Sequence, residues 1–270
     1  MPATSKTASP VSPNWTRRQT LAALHIYFQL PFGQLHSKQP KIKQLADWID
    51  RSANSVALKL VNIASLDPQI IASGRKGMGN ASSLDKAIWL ELQTHWDNVA
   101  NEAATEYERL ATSQGLPADV DVIDEHPELL SMEEGKTRSA MLNVRVNQAR
   151  FRKAILASYD ATCCISGLRH EKLVIASHIV PWSEDHQNRL NPQNGLCLSA
   201  LHDRAYDQGL ITVLPDYTVR VSERLVTKEA DAFLVASLLR FDGQTIRLPH
   251  RFRPKAEFLE NHAKRFLFID

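Results

Sequence analysis

Cysteine is scarce in this chain. There are three in 270 residues, and two of them, Cys163 and Cys164, are adjacent. That pattern makes no disulfide framework and points to a reducing compartment, so the expected location is the cytoplasm. No stretch approaches the roughly 18 consecutive apolar residues that span a bilayer, so no membrane partner is expected. The opening residues, MPATSKTASPVSPNW, hold no apolar run and do not read as a secretory signal. Their Pro, Ser and Thr content predicts a disordered tail over 1–13. No Gly-Lys-Ser/Thr follows a strand, which excludes a phosphate-cradling P-loop. Internal repeats are absent too. What remains is a globular composition, 43% apolar and 23% charged, with length for one large domain or two modest ones.

The net charge of +2 conceals a division along the chain. Residues 1–80 carry 10 Lys/Arg against 3 Asp/Glu, residues 81–137 carry 3 against 13, and residues 138–270 carry 19 against 14. Two basic segments therefore flank an acidic one. Basic surface binds phosphate backbones by releasing condensed counterions, and it also occurs as an ordinary solvated face.

The apolar spacing predicts a helix from about Arg17 to Leu30, capped by Asn14 or Thr16, with one apolar stripe through Leu21, Leu24, Tyr27 and Phe28. Further helices are expected over Ile42–Ile49 and Ala53–Ser65, the latter capped by Ser52. Three short helices with a tight turn before the third follow the plan of a helix-turn-helix, which would put Asn54, Ser55 and Lys59 on an outer face. The Gly- and Ser-rich stretch 73–83 reads as a connector; Arg75 and Lys76 give it a second reading, contact with phosphate. One long helix is expected from Ser83 to about Ser113, where neither Pro nor Gly interrupts the periodicity. Residues 114–140, rich in acids with two Pro and two Gly, read as a linker.

Beyond it, a helix over Val144–Tyr159 exposes Arg145, Arg150, Arg152 and Lys153, as phosphate contacts or as solubilising charge. Short strands are expected at Cys163–Ile165, Leu173–His178 and Leu196–Leu198, then a helix over Ala200–Asp207. A hairpin, Leu210–Val213 with Thr218–Val221, and a closing amphipathic helix complete the pass.

Three polar residues fall at junctions of these elements. His178 ends a strand in ASHIVPW, Asn194 sits in NPQNGLCL, and His202 opens a helix in SALHDRAYDQGL. Taken singly, each has an ordinary structural explanation. Taken together with their Pro-Trp and Leu-Cys-Leu contexts, the segment resembles the HNH endonuclease family of the ββα-metal fold, in the subset with His-Ile-Val-Pro-Trp, Asn-Gly-Leu-Cys-Leu and Leu-His-Asp runs. The resemblance covers about 150–212, with a looser extension through RVNQARFRKAILASYDATCCISG.

The resemblance implies a fold class of α+β. An N-terminal, mainly α-helical module (14–113) and an acidic linker (114–140) would precede a C-terminal ββα-metal nuclease domain (141–270). It implies a metal-dependent DNA endonuclease, in restriction or another anti-phage defence. His178 would take a proton from water, which a neutral imidazole with an unperturbed pKa of roughly 6.5 can do near pH 7. Asn194 would clamp the loop, with Asn191 a nearby competitor. His202 matches the metal position, and one Mg²⁺ or Mn²⁺ would neutralise the phosphate. The partner would be double-stranded DNA, modified or not, and a double-strand cut makes a homodimer attractive.

Two departures stand out. Ser177 occupies the position where many HNH enzymes carry a second ligand, which leaves Asp203 and Asp207 as metal ligands or as braces of the helix. It also leaves an alternative, a non-catalytic DNA-binding or regulatory protein with a degenerate HNH fold. Paired Cys-x-x-Cys motifs are missing, so no structural zinc is expected, and Cys164 and Cys197 read as small core residues. A thiol site at Cys164 with His178 lacks an orienting partner.

Overall fold

The computed structural model describes residues 14–72, 74, 79–116, 138–226 and 231–269. The expected tail over 1–13, most of the expected linker, and Arg75 and Lys76 lie outside the described residues.

Helix α1 (Arg17–Gln29) starts at a capping box in which Thr16 and Gln19 satisfy each other's backbone N–H, and it stops just before Pro31. The sequence predicts one apolar stripe. Instead every residue from Thr20 to Phe28 is buried. A helix covered on all sides is the centre of a bundle rather than its skin. Helices α2 (Pro40–Trp48), α3 (Ala53–Ala64) and α6 (Trp96–Ser113) pack around it, and so does α7 (Arg138–Tyr159) from beyond the acidic segment.

The expected outer face of α3 is corrected at Lys59. Its ammonium is buried, bonds to Asp85 at 2.7 Å and lies over the Trp15 ring. Asp85 is itself buried in the capping box that opens α5 (Ser83–Thr94), where Ser82 rather than Ser83 is the cap. Lys59 thus ties two helices together and is not presented to DNA, whereas Asn54 is exposed.

The single long helix expected over 83–113 is two. His95, at φ −135° and ψ 62°, ends α5 and lets α6 restart at Trp96. The short α4 (Pro68–Ala72) was not anticipated.

The second half is α+β as expected. Strand β1 (Val174–His178) pairs antiparallel with β2 (Gly195–Ser199), and α8 (Ala200–Asp207) follows β2 directly, capped by the Ser199 hydroxyl. Gly209, at φ +60°, turns the chain out of α8, and a Cβ there would lie 2.1 Å from the Phe266 ring. Strands β3 (Ile211–Val213) and β4 (Val219–Val221) form the expected hairpin. After α9 (Ala232–Ser237), α10 (Ala256–Arg265) closes the chain. The strand expected at Cys163–Ile165 is a turn, bridged only between Thr162 and Arg169. All three cysteines are buried and unbridged.

One apolar core runs through both halves, from Leu21 to Leu259. Among the described residues no helix is long and apolar enough to cross a membrane.

His262 fastens α10 to this core. Its ring lies on Tyr206 at 3.6 Å, Nε2 donates to the Tyr206 carbonyl, and Nδ1 meets the Thr212 hydroxyl at 2.8 Å. Burial pushes this imidazole down to about 4, despite the bond to Tyr206. The folded value lies below the unfolded one, so the ring's contribution to stability is present above about 6.5 and is lost as pH falls through 4. Glutamine at this position does not titrate. The thermal midpoint of the wild type is therefore expected to fall relative to His262→Gln between pH 6.5 and 4. Parallel curves in that window would show that His262 is not held neutral.

Candidate active site

His178 is the last residue of β1, and its register partner is Gly195, the first residue of β2. The ring is half-buried. It stacks on Phe151 of α7 at 3.7 Å and 14°, with Trp182 edge-on at 5.6 Å. Gly195 permits this arrangement. A Cβ there would lie 2.6 Å from Phe151 and 2.5 Å from Ile155, so only glycine lets α7 approach close enough to put Phe151 beneath the imidazole. The Gly of Asn-Gly reads from sequence as a turn residue; in the fold it is a point of close approach.

Nε2 of His178 meets the backbone carbonyl of Arg189 at 2.9 Å. A carbonyl has no proton to give, so Nε2 carries the hydrogen. In the neutral ring the lone pair then belongs to Nδ1, which can accept a proton from water.

The loop between β1 and β2 is clamped from inside. Asn194, almost wholly buried, accepts from the Val180 N–H at 2.8 Å and donates to the Val180 and Asn188 carbonyls at 3.0 and 3.3 Å. Asn191 instead caps a local turn, accepting from the Gln193 N–H at 3.0 Å and donating to the Asn188 side chain. The Asp185 carboxylate accepts from the Gln187 and Asn188 amides and from the Asn188 side chain. Arg189 donates to the Trp182 carbonyl and covers its ring.

The same loop is gripped from the helical half. Trp96 Nε1 donates to the Leu190 carbonyl at 3.1 Å, while the Asp97 carboxylate accepts from the Arg189 and Leu190 amides at 3.1 and 2.9 Å. Burial pushes the Asp97 carboxyl up to about 6, against the pull of those two amides. Sequence reasoning missed both residues, because the helix break at His95 that aims them at the loop carries no Pro or Gly.

The strand, loop, strand and helix described here are also where a family signal lies. Residues 163–214 match the family model described as HNH endonuclease. No curated protein matches the chain. The HNH segment thus holds His178, Asn194 and His202 together with the whole of β1, β2 and α8.

HNH nucleases typically use a divalent metal, so the donors near α8 matter. His202 does not suit this role. It is 3% exposed, Nδ1 is engaged by the Ser199 hydroxyl at 2.6 Å with the Cys163 sulfur at 3.8 Å, and Nε2 is buried beside Phe241. A cation touching substrate phosphate must be reachable from solvent, and neither ring nitrogen is. Burial pushes the Cys163 thiol up, but hydrogen bonds with His202 and Ser166 outweigh it and bring it down to about 6. Cys163, Ser199 and His202 form an internal polar knot beneath the helix.

Asp203 and Asp207 fall one turn apart on α8, but Asp203 is buried beside His202 in the helix and only Asp207 is exposed. By the same test of solvent access the expected ligand Asp203 is corrected, and Asp207 is the carboxylate open to Mg²⁺ or Mn²⁺, which keep several waters and take further oxygens from substrate phosphate. Among the described residues no three His, Cys, Asp or Glu side chains cluster as a complete ligand set. Ser177 is buried with its hydroxyl unpartnered, so it does not supply the missing ligand at the surface.

The basic residues expected to meet phosphate divide. Arg152 is corrected: it is buried, and it donates to the Val174 and Glu171 carbonyls at 2.7 and 2.8 Å, fixing the entry to β1. Arg150 bonds Glu108 of α6 and the Asn147 side chain and so braces α7. Arg145 and Lys153 are partly exposed on α7, and Asn54 is exposed on α3.

Proposed function

We propose that the protein is a metal-dependent endonuclease that hydrolyses phosphodiester bonds of double-stranded DNA. The observation that carries this reading is the contact of His178 Nε2 with the Arg189 carbonyl at 2.9 Å, inside the segment that matches the HNH model. His178 accepts a proton from the attacking water at Nδ1. Asn194 keeps the loop closed so that the accepting nitrogen stays in place. Asp207, exposed on α8, would hold the cation together with water and substrate oxygens, and the cation would neutralise charge on the phosphate and the departing oxygen. Arg145, Lys153 and Asn54 supply contacts to the DNA backbone, and the helical region over 14–113 serves DNA recognition. The setting we propose is restriction or another anti-phage defence, with modified DNA among the substrates.

Ser177, buried where many HNH enzymes carry a second ligand, favours one second reading, a DNA-binding protein that has lost catalysis. One experiment separates the two. The full chain is incubated with supercoiled plasmid, unmodified and base-modified, with Mg²⁺, Mn²⁺ or a chelator. Nicked and then linear product is expected with metal and none with chelator. Intact plasmid in every metal-containing reaction, alongside a retarded band in gel shift, would establish the second reading.

A further inference from the structure

The carbonyl that holds His178 is one end of a planar unit. The C=O of Arg189 and the N–H of Leu190 belong to the same peptide group, and in a trans peptide they point in opposite directions. The structure has no cis peptide among its described residues. On one side of that plane His178 Nε2 donates to the carbonyl at 2.9 Å. On the other side the Leu190 amide donates to Asp97 Oδ1 at 2.9 Å. One rigid amide therefore lies between the imidazole and a carboxylate 93 residues away from Leu190 in sequence.

The neighbouring contacts fix that amide in orientation as well as in place. The Arg189 amide, in the preceding peptide plane, donates to the other oxygen of Asp97 at 3.1 Å. The Leu190 carbonyl, in the following plane, accepts from Trp96 Nε1 at 3.1 Å. Three consecutive peptide groups are thus held by the first turn of α6. A bidentate carboxylate is hard to replace here, since it alone offers two acceptors and no donor. Its charge also polarises the shared amide and makes the Arg189 carbonyl a stronger acceptor for the imidazole N–H.

We infer that Asp97 is a positioning residue for His178, acting through the Arg189–Leu190 peptide group, with Trp96 as its support. The inference rests on the reading of His178 as the proton acceptor. It also makes the helical half of the chain a working part of the centre, since the centre's tautomer is set from α6.

The test compares the wild type with Asp97→Asn and Trp96→Phe, all as full chains. Asparagine keeps the size of the side chain but turns a donor toward one of the two amides. On plasmid DNA with Mn²⁺, Asp97→Asn is expected to lower kcat by about tenfold to a hundredfold with little change in KM, since a displacement of about an ångström costs on that scale. Trp96→Phe is expected to lower kcat less, in the same direction. Imidazole ¹⁵N spectra, with the His178 signal assigned by its loss in His178→Ala, should show one Nε2–H tautomer in the wild type and a mixture in Asp97→Asn. An unchanged tautomer in Asp97→Asn overturns the inference, whether or not cleavage is lost. Should Asp97→Asn fail to fold, Trp96→Phe decides by the same spectrum. Should the wild type cut no DNA, the nuclease reading falls while the spectrum still decides the positioning claim.

Discussion

His178→Ala is expected to reduce metal-dependent DNA cleavage by about a hundredfold to ten-thousandfold, the range over which a positioned general base contributes. The geometry gives the reason. The ring rests on Phe151 and donates through Nε2 to the Arg189 carbonyl, so in its neutral form it presents Nδ1 as the proton acceptor. Alanine removes that acceptor and leaves the attacking water without a base. The fold should survive, because the ring is only half-buried and water can take its place on the Arg189 carbonyl. The stability lost is of the order of one ordinary hydrogen bond, about 1 kcal/mol. Circular dichroism, thermal midpoint and DNA affinity should therefore stay near wild-type values while the cleavage rate collapses. Undiminished cleavage by a folded His178→Ala protein would remove this residue from the chemistry.

The largest expected loss of stability is at Arg251, far from that centre. Its guanidinium is fully buried. It donates to the carbonyls of Tyr27 and Phe28 in the last turn of α1 and covers the rings of Tyr27 and Phe252 at 4.7 and 5.3 Å. A cation at a helix C-terminus meets the negative end of the helix dipole, and here it also fills the carbonyls' need for donors. Asp67 is buried nearby, and burial pushes its carboxyl up against the opposing pull of backbone amides and Arg251.

Arg251→Ala strips two carbonyls of their donors and opens a cavity in the core. Each buried carbonyl left unpaired costs about 1–3 kcal/mol, so the two together are a large share of the roughly 5–15 kcal/mol that holds a domain folded. A much lower thermal midpoint, or failure to accumulate folded protein, is expected. Arg251→Met restores much of the volume, so it should recover part of the loss. A thermal midpoint for Arg251→Ala within a degree or two of wild type would contradict this account.

Arg251 also shows why the two halves of the chain are not independent in packing, although charge and composition divide them cleanly in sequence. It lies near the C-terminal end and serves the first helix. Trp96 and Asp97 cross in the other direction, from the helical half to the HNH loop. Neither tie has a local signature. A buried arginine reads as surface charge, and an aspartate in the first turn of a helix reads as a partner for the helix dipole.

The elements that were legible carry local causes. Thr16, Ser52 and Ser199 cap helices by accepting from backbone N–H groups a few residues on, so their positions mark helix starts. The strands β1 and β2 and the helix α8 follow from short apolar runs bounded by Pro181 and Gly195. Their joint motif sets His178 and Asn194 at the two ends of one loop, and Asn194 bonds the Val180 and Asn188 backbone within it. Errors arose where burial decided the outcome. Lys59, Arg152 and His202 are polar residues that periodicity or motif placed near solvent, yet each is buried with specific partners. No sequence window contains those partners: Asp85 for Lys59, and the Val174 and Glu171 carbonyls for Arg152.

The sequence by itself determined the α+β class, the ββα order of the HNH segment, and which imidazole ends the first strand. These depend on caps, spacing and turn chemistry within a few residues, and such forces act before the chain has a tertiary shape. Tertiary structure alone decided the tautomer of His178, the retreat of His202 into the core, and the hold of Asp97 on the loop. Each of those depends on removing polar groups from water. A buried donor must then find an acceptor wherever the fold supplies one, however distant in the chain.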